Sequence, residues 1–442
     1  MGPLEFLTEE FENTERALHE TLRHDYGPGR REEYYTECEK RLQAIQADIA
    51  ALTNDNRPGL KNAAAELAQV AHAIALVERS RLGEFSWPFA DELREAASSL
   101  LTETTVDDEE LPPIVHVISE PTGYKIRTEQ RLRHATSRFV TIHFPRQLKH
   151  HVLLHALFGH ELGHAAINIP EPKVLLKAAA RALSSSGPMS SAGAMTKWIH
   201  DPSAPVEVRN ELSRYKTKYG KAFQFGTNAY SRWHLEFVCD LFGLACFGPS
   251  FLAAHRVYLS KPFPYLFNLE SPTHPVYACR HRMLVQALRL LGWDQACTTP
   301  ADGEVHHAEE SFLDFVREDP YDARAKLFKD GQIESALKAI NTLFVAHPKL
   351  TYQPIERTTL IALVANLTQG VPPILVPISE DGTPSLNRLS LGRILFAGWT
   401  RWLGRAALTS EMKLSFFEIN RLCDQALIQQ AAINRALDRP RN

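Results

Sequence analysis

Apolar residues recur at three- and four-residue spacing in three stretches of the first hundred residues. These are 14–24 ("TERALHETLRH"), 31–53 ("REEYYTECEKRLQAIQADIAALT") and 59–82 ("GLKNAAAELAQVAHAIALVERSRL"). That spacing lines the apolar side chains along one face of a helix. The breakers "YGPG" and "NDNRPG" separate the three, so residues 1–104 are expected to form a helical region. The acidic, proline-containing "TVDDEELPP" marks a boundary, and beyond it the period shortens. "IVHVISE" (114–120), "YKIRTE" (124–129) and "SRFVTIHFP" (137–145) are short, β-branched or alternating, and read as strands. In the last, Val140, Ile142 and Phe144 face one way while Phe139, Thr141 and His143 face the other. At an exposed sheet edge this strand could hold an extended peptide by strand addition.

Strongly apolar helices are expected next, in "LKHHVLLHALFGHELGHAAINIP" (148–170) and "SRWHLEFVCDLFGLACF" (231–247). Between them, helical pieces are broken by "SSSGPMSSAG" and "HDPSAP", and the Ser/Gly/Pro run is the expected mobile loop over a cleft. The tail from 301 to 442 is again mostly helical. In it "LFKDGQIESALKAINTLFVAHP" resembles the second half of a tetratricopeptide repeat, with Gly331, Ala336, Ile340, Leu343 and Pro348 in the small, apolar and terminating positions. No second copy follows at that repeat's spacing, so an ordinary helical hairpin is expected. The fold class is therefore α+β and mostly helical. A domain with a small sheet (105–300) is expected between helical regions at 1–104 and 301–442.

Composition narrows the function classes. A chain of 442 residues is long enough for two or three units. Its net charge of −3 gives no reason to expect nucleic acid or an anionic membrane as a partner. The start, "MGPLEFLTEEFENTE", lacks the basic-then-apolar plan of a signal peptide. The longest apolar run, "LFGLACFGPSFLAA", is too short and too broken to span a bilayer. Six scattered cysteines without a C-x-x-C pair suit reduced, buried thiols. A soluble, cytoplasmic protein is expected.

The chemistry concentrates in "HELGH". On a helix His160 and His164 lie one turn apart on one face, with Glu161 beside the first; His151 and His155 fall near the opposite side. In this pattern two imidazoles bind zinc and the carboxylate acts as general base on water. A catalytic zinc needs a third protein ligand, and the later apolar helix offers His234, Glu236 and Asp240. Two carboxylates inside so apolar a helix cost several kcal/mol each unless compensated. Glu236 as third ligand, with Asp240 one turn on accepting the free N–H of a ligand histidine, accounts for both. His234 points about 200° away from Glu236 and is expected to be an ordinary core or surface histidine.

Farther along stands "SPTHPVYACRHRML". The ordered set HExxH, then E-x-x-x-D, then Thr273-His274-Pro275 with Arg280 and Leu284 resembles the gluzincin metallopeptidases of the HtpX and CAAX-prenyl-endopeptidase type. The likeness spans roughly residues 138 to 285 and departs at Val276, His281 and Cys239, where those relatives carry proline, an aliphatic residue and alanine. It implies a zincin-like endopeptidase holding one zinc per chain, with His274 near the scissile carbonyl. The membrane segments of many such proteins have no counterpart here. Hydrolysis would then run with zinc on His160, His164 and Glu236 and with Glu161 as base. His274 would donate to the developing oxyanion, with Arg280 or Tyr277 as weaker candidates and Arg280 alternatively a structural anchor. A protein or peptide substrate is expected, together with regulation, or a regulatory protein partner, through the helical flanks. The rival is a binding scaffold with a structural or vestigial zinc site, against which the intact Glu161 speaks.

Overall fold

A computed structural model describes residues 2–21, 31–78, 86–104, 110–120, 123–128, 137–210, 213, 227–259, 274–275, 277–293, 327–374, 389–404 and 413–437. The chain divides into two compact units, residues 1–149 and 150–442. It is mostly helical with a small sheet. No helix among the described residues is long and apolar enough to cross a membrane.

In the first unit three helices, α1 (Pro3–Thr21), α2 (Arg31–Ala50) and α3 (Arg57–Glu78), pack on one another. Their stripes of Leu7, Phe11, Leu18, Cys38, Leu42, Ile45, Leu67 and Val70 merge into one core. The first helix starts eleven residues before the expected Thr14, because Leu7 and Phe11 extend its buried face toward the terminus. Expected helix ends at 22–24 and 79–82 lie outside the described residues. A fourth helix, α4 (Trp87–Leu100), lies within the expected helical region 1–104 but outside the three stretches read from spacing; Phe89, Leu93 and Ala97 form its buried side.

The strands lie close to where alternation put them. A two-residue ribbon, β1 (Glu103–Thr104) with β2 (Glu110–Leu111), precedes β3 (Ile114–Glu120), β4 (Lys125–Thr128) and β5 (Phe139–Pro145). The sheet order is β3-β5-β4, with β5 parallel to β3 and antiparallel to β4. The strand considered for peptide capture is thus the central one, hydrogen-bonded on both sides and buried throughout. It has no free edge for a guest strand. Its entry is tied down by a buried pair on α2: Arg41 donates to Ser137 O at 2.6 Å and to Glu37 Oε1 at 3.2 Å, and the Ser137 N–H donates to the same carboxylate at 3.1 Å.

Among the described residues, the second unit is helical. Its first turns, Val152–Leu157, are 3₁₀, and the α-helix begins only at Phe158 (α5, Phe158–Ala166). The histidine-rich run is therefore not one continuous α-helix. Next come α6 (Pro170–Leu183), α7 (Ala192–His200), α8 (Thr227–Phe247), α9 (Pro249–Leu259) and α10 (Tyr277–Leu290). The carboxyl-terminal helices are α11 (Asp330–Ala346), α12 (Arg357–Thr368), α13 (Leu391–Leu403) and α14 (Phe416–Leu437).

One expectation changes here. The Ser/Gly/Pro run is pinned: Met189 is fully buried, Tyr230 donates to its carbonyl at 2.8 Å, and Gln332 donates to Leu183 O at 2.8 Å just before it. The repeat-like segment, α11, packs chiefly on α6, some 150 residues earlier, and the residues just before it, where a hairpin partner would stand, lie outside the described residues. The carboxyl-terminal helices also enter the core around the metal-ligand candidates. The indole N–H of Trp399 donates to Leu153 O at 3.1 Å, the Leu153 N–H donates to Asn420 Oδ1 at 2.9 Å, and Trp399, Phe396 and Phe237 are fully buried.

Candidate metal centre

Two glycines let the helices that carry the site cross closely. A methyl added at Gly159 would stand 2.8 Å from Gly243 Cα, and one at Gly163 would stand 3.1 Å from Cys239 Cα. Without side chains there, the backbone of α5 meets that of α8, and His160 and His164 come within reach of Glu236 and Asp240. Helix α10 brings Arg280 to the same place, and His274 stands just ahead of its start.

The donor atoms converge. His160 Nε2 is 2.9 Å from His164 Nε2 and 3.3 Å from Glu236 Oε2; His164 Nε2 is 3.2 Å from Glu236 Oε1. All three donors lie within 4.8 Å of one another, so this group could hold a metal ion. Ligands about 2.0–2.1 Å from a tetrahedral zinc stand about 3.3 Å apart, which matches these separations. Glu236 Oε2 is buried and has no hydrogen-bond partner among the described residues, leaving a lone pair for an ion.

Behind His160, Asp240 is wholly buried. Its Oδ1 lies 2.9 Å from His160 Nδ1. With the N–H on Nδ1, the lone pair of Nε2 is turned toward the cluster, the tautomer a metal ligand needs. Arg280 grips Asp240 with both arms of its guanidinium, Nε to Oδ2 at 2.7 Å and Nη2 to Oδ1 at 2.6 Å. This is the acid-pairing role weighed for Arg280 from sequence.

The electrostatics ask for a cation. Burial works against a charged His160, yet its hydrogen bonds to the accepting carboxylates of Asp240 and Glu236, and their charges, outweigh it and push the imidazole up to about 10. Burial likewise opposes an ionised Glu236, but His160, His164 and Arg280 hold it well below the usual carboxylate range. Two buried carboxylates face one guanidinium, so a second positive charge at the imidazoles is favoured. The donor set fits zinc by type, spacing and charge.

Glu161, half-buried on the next position of α5, is pushed upward by burial against the opposing pull of His160 and His164. A carboxylate in that condition is a better proton acceptor than one in water. His274 places Nε2 3.4 Å from Glu236 Oε1, but its side chain is 56% exposed and it lies outside the convergent group. Its neighbour Thr273 lies outside the described residues.

Tyr277 is buried and its ring stacks between His255, at 5.7 Å, and His281, at 5.4 Å. His234 bonds to Tyr230 O at 3.0 Å, as suits an ordinary core histidine. Two residues of α9 escaped sequence reasoning. His255 lies 3.8 Å from Asp240, and Tyr258 is close enough to feel the charge of Glu161, which adds to burial in raising its pKa. Only the polar His255, Arg256 and Tyr258 within the otherwise apolar "FLAAHRVYL" hinted at them. The chain matches no known family model, no curated protein and no solved structure.

Proposed function

We propose that the chain is a zinc-dependent endopeptidase of gluzincin type, acting on a protein or peptide. The observation that carries this reading is the convergence of His160, His164 and Glu236 with Glu161 at the adjoining position of the same helix. The three ordered sequence motifs support it. Zinc held by those donors would supply Lewis-acid charge that polarises a carbonyl and acidifies water.

This chain's own groups do the rest. Glu161 takes a proton from the attacking water and delivers it to the leaving amine. Asp240 fixes the His160 tautomer, and Arg280 fixes Asp240. His274, from the solvent-facing side of Glu236, donates to the oxygen that gains negative charge as the amide carbonyl is attacked. The bidentate grip of Arg280 on Asp240 and the burial of Tyr277 favour His274 over both in that role.

Because α13 and α14 share the core around Leu153, cutting the chain at 300 would remove packing as well as any gate. Regulation by the flanks is therefore better tested by substitution than by deletion. The reading itself is tested by incubating the purified protein with a proteome-derived peptide library. Cleavage by the wild type and none by Glu161→Gln, at equal zinc content, supports it. Equal cleavage by the two, or no cleavage of any peptide by the zinc-loaded wild type, overturns it.

A further inference from the structure

The six residues that lead into the metal-binding helix are 3₁₀, although their sequence favours α. "VLLHAL" (Val152–Leu157) carries three leucines and an alanine, strong α-formers, yet the α-helix begins only at Phe158. Runs of 3₁₀ longer than three or four residues are uncommon, because their hydrogen bonds are poorly aligned. Contacts from outside the segment hold this one in place.

Leu153 is where it is held. The residue is fully buried, and its backbone is bonded on both sides to the carboxyl-terminal helices. Its N–H is one of the first-turn donors that a helix cannot satisfy itself, and His151, at the cap, supplies no side-chain bond. Asn420 of α14 does so instead. Its Oδ1 accepts that N–H at 2.9 Å, while its own amide donates to Phe416 O at 2.7 Å. Trp399 of α13 donates from its indole to the Leu153 carbonyl at 3.1 Å. Both side chains are fully buried. Gly398 admits the close approach, since a methyl there would stand 2.6 Å from Leu153 Cδ2 and 2.7 Å from Cys423 Sγ. Just upstream, the His151 ring lies against Phe416 at 5.7 Å.

This clamp has a consequence at the donors. Six residues rise about 12 Å as 3₁₀ and about 9 Å as α, and the 3₁₀ form turns about 120° further. Relaxation to α would draw His160 and His164 along and around the helix axis. The displacement, about 3 Å, is as large as the 2.9 and 3.3 Å separations among the donor atoms.

We propose that Trp399 and Asn420 are positioning residues for the metal centre. Acting through Leu153, they hold the approach to α5 in its 3₁₀ form and so set where His160 and His164 stand against Glu236. The carboxyl-terminal helices thereby govern zinc affinity without touching the ion. This rests on the reading of the three donors as a zinc site and adds the residues that place two of them.

The test is zinc affinity of the full chain, measured by competition with a chromophoric chelator. The visible spectrum of the cobalt(II)-loaded protein, which reports ligand geometry, is read alongside. Trp399→Phe keeps a ring without the N–H, and Asn420→Leu keeps the volume without the acceptor. Leu363→Ala, at a fully buried position of α12, controls for lost stability alone. Each clamp variant should bind zinc about tenfold more weakly, inside the usual range of about 5–150-fold for coupled sites, and should alter the cobalt bands. Leu363→Ala should change neither, although it unfolds at lower urea. Wild-type affinity in both clamp variants overturns the proposal, as does an equal loss in Leu363→Ala.

Hydrogen exchange of the unaltered protein supplies a readout that needs no variant. Coupling is reciprocal, so zinc should slow exchange in α14 more than in α12. Equal slowing in both, which global stabilisation alone would give, overturns the clamp even if a variant folds poorly. A wild type with no measurable zinc affinity overturns the metal centre and the clamp together. A zinc-binding wild type matched by both clamp variants overturns the clamp alone.

Discussion

Asp240→Asn removes one charge from the most deeply buried part of the centre. Asp240 is fully buried and Arg280 is 7% exposed, so the pair is held out of water. Two hydrogen bonds, at 2.7 and 2.6 Å, join the guanidinium fork to the carboxylate. Asparagine keeps one carbonyl oxygen but turns an amide N–H₂ toward one of the arginine donors, so one bond becomes a donor facing a donor. Removing one partner of a buried ion pair costs about 3–5 kcal/mol, because the other charge stays buried without its counter-ion. Glu236 Oε2, 3.6 Å from Arg280 Nη2, compensates in part and points to the lower end, about 3 kcal/mol. The assay is urea unfolding in excess chelator, so that zinc binding does not add to stability. The fluorescence of Trp233 and Trp399, both buried in the second unit, reports the transition. Asp240→Asn combined with Arg280→Met leaves no orphaned charge and should regain at least half of the loss. Zinc should bind about 10–100-fold more weakly to either. A single variant within about 1 kcal/mol of wild type, or a double variant that regains nothing, would refute the reasoning.

His274→Ala should retain zinc and stability while kcat falls about 10²–10³-fold, the usual effect of losing one oxyanion donor; zinc loss would make His274 a ligand, and unchanged kcat would leave it no catalytic role. Gly159→Ala should lower stability by about 1–3 kcal/mol and weaken zinc, since its methyl meets the Gly243 backbone and pushes α5 off α8; unaltered unfolding and zinc affinity would contradict the close crossing. His116, in the first unit, is held down to about 4 by burial and by the charge of Arg41. A depressed folded pKa means full stability above 6.5, and a loss of up to about 3 kcal/mol as pH falls toward 4 and the unfolded chain takes the proton first. His116→Phe should flatten that slope in urea unfolding at pH 7 and 4.5, and an identical slope would remove the assignment.

The sequence was most legible where a local period coincided with a buried face. Alternation located β3 and β5 to within a residue or two, and four-residue spacing paired His160 with His164 and Glu236 with Asp240. Long-range geometry was not legible. The run around β5 holds no mark of which strands flank it, so an interior strand read equally well as an edge. Gly159 and Gly243 look like ordinary helix weaknesses until the two helices cross. The Ser/Gly/Pro run looked mobile because its anchors, Tyr230 and Gln332, lie far away in sequence. His255 escaped for the same reason: nothing in "FLAAHRVYL" points to a carboxylate fifteen positions earlier on the preceding helix.

Metal analysis by mass spectrometry on the purified chain and four variants tests the central claim most directly. The account predicts about one zinc ion per chain for the wild type and for Glu161→Gln, with hydrolysis lost only in the latter. His160→Ala, His164→Ala and Glu236→Ala should each fall well below that content, because each removes one of the three converging donors. A wild type that takes up no zinc, or a Glu236→Ala protein that remains fully loaded, would contradict it.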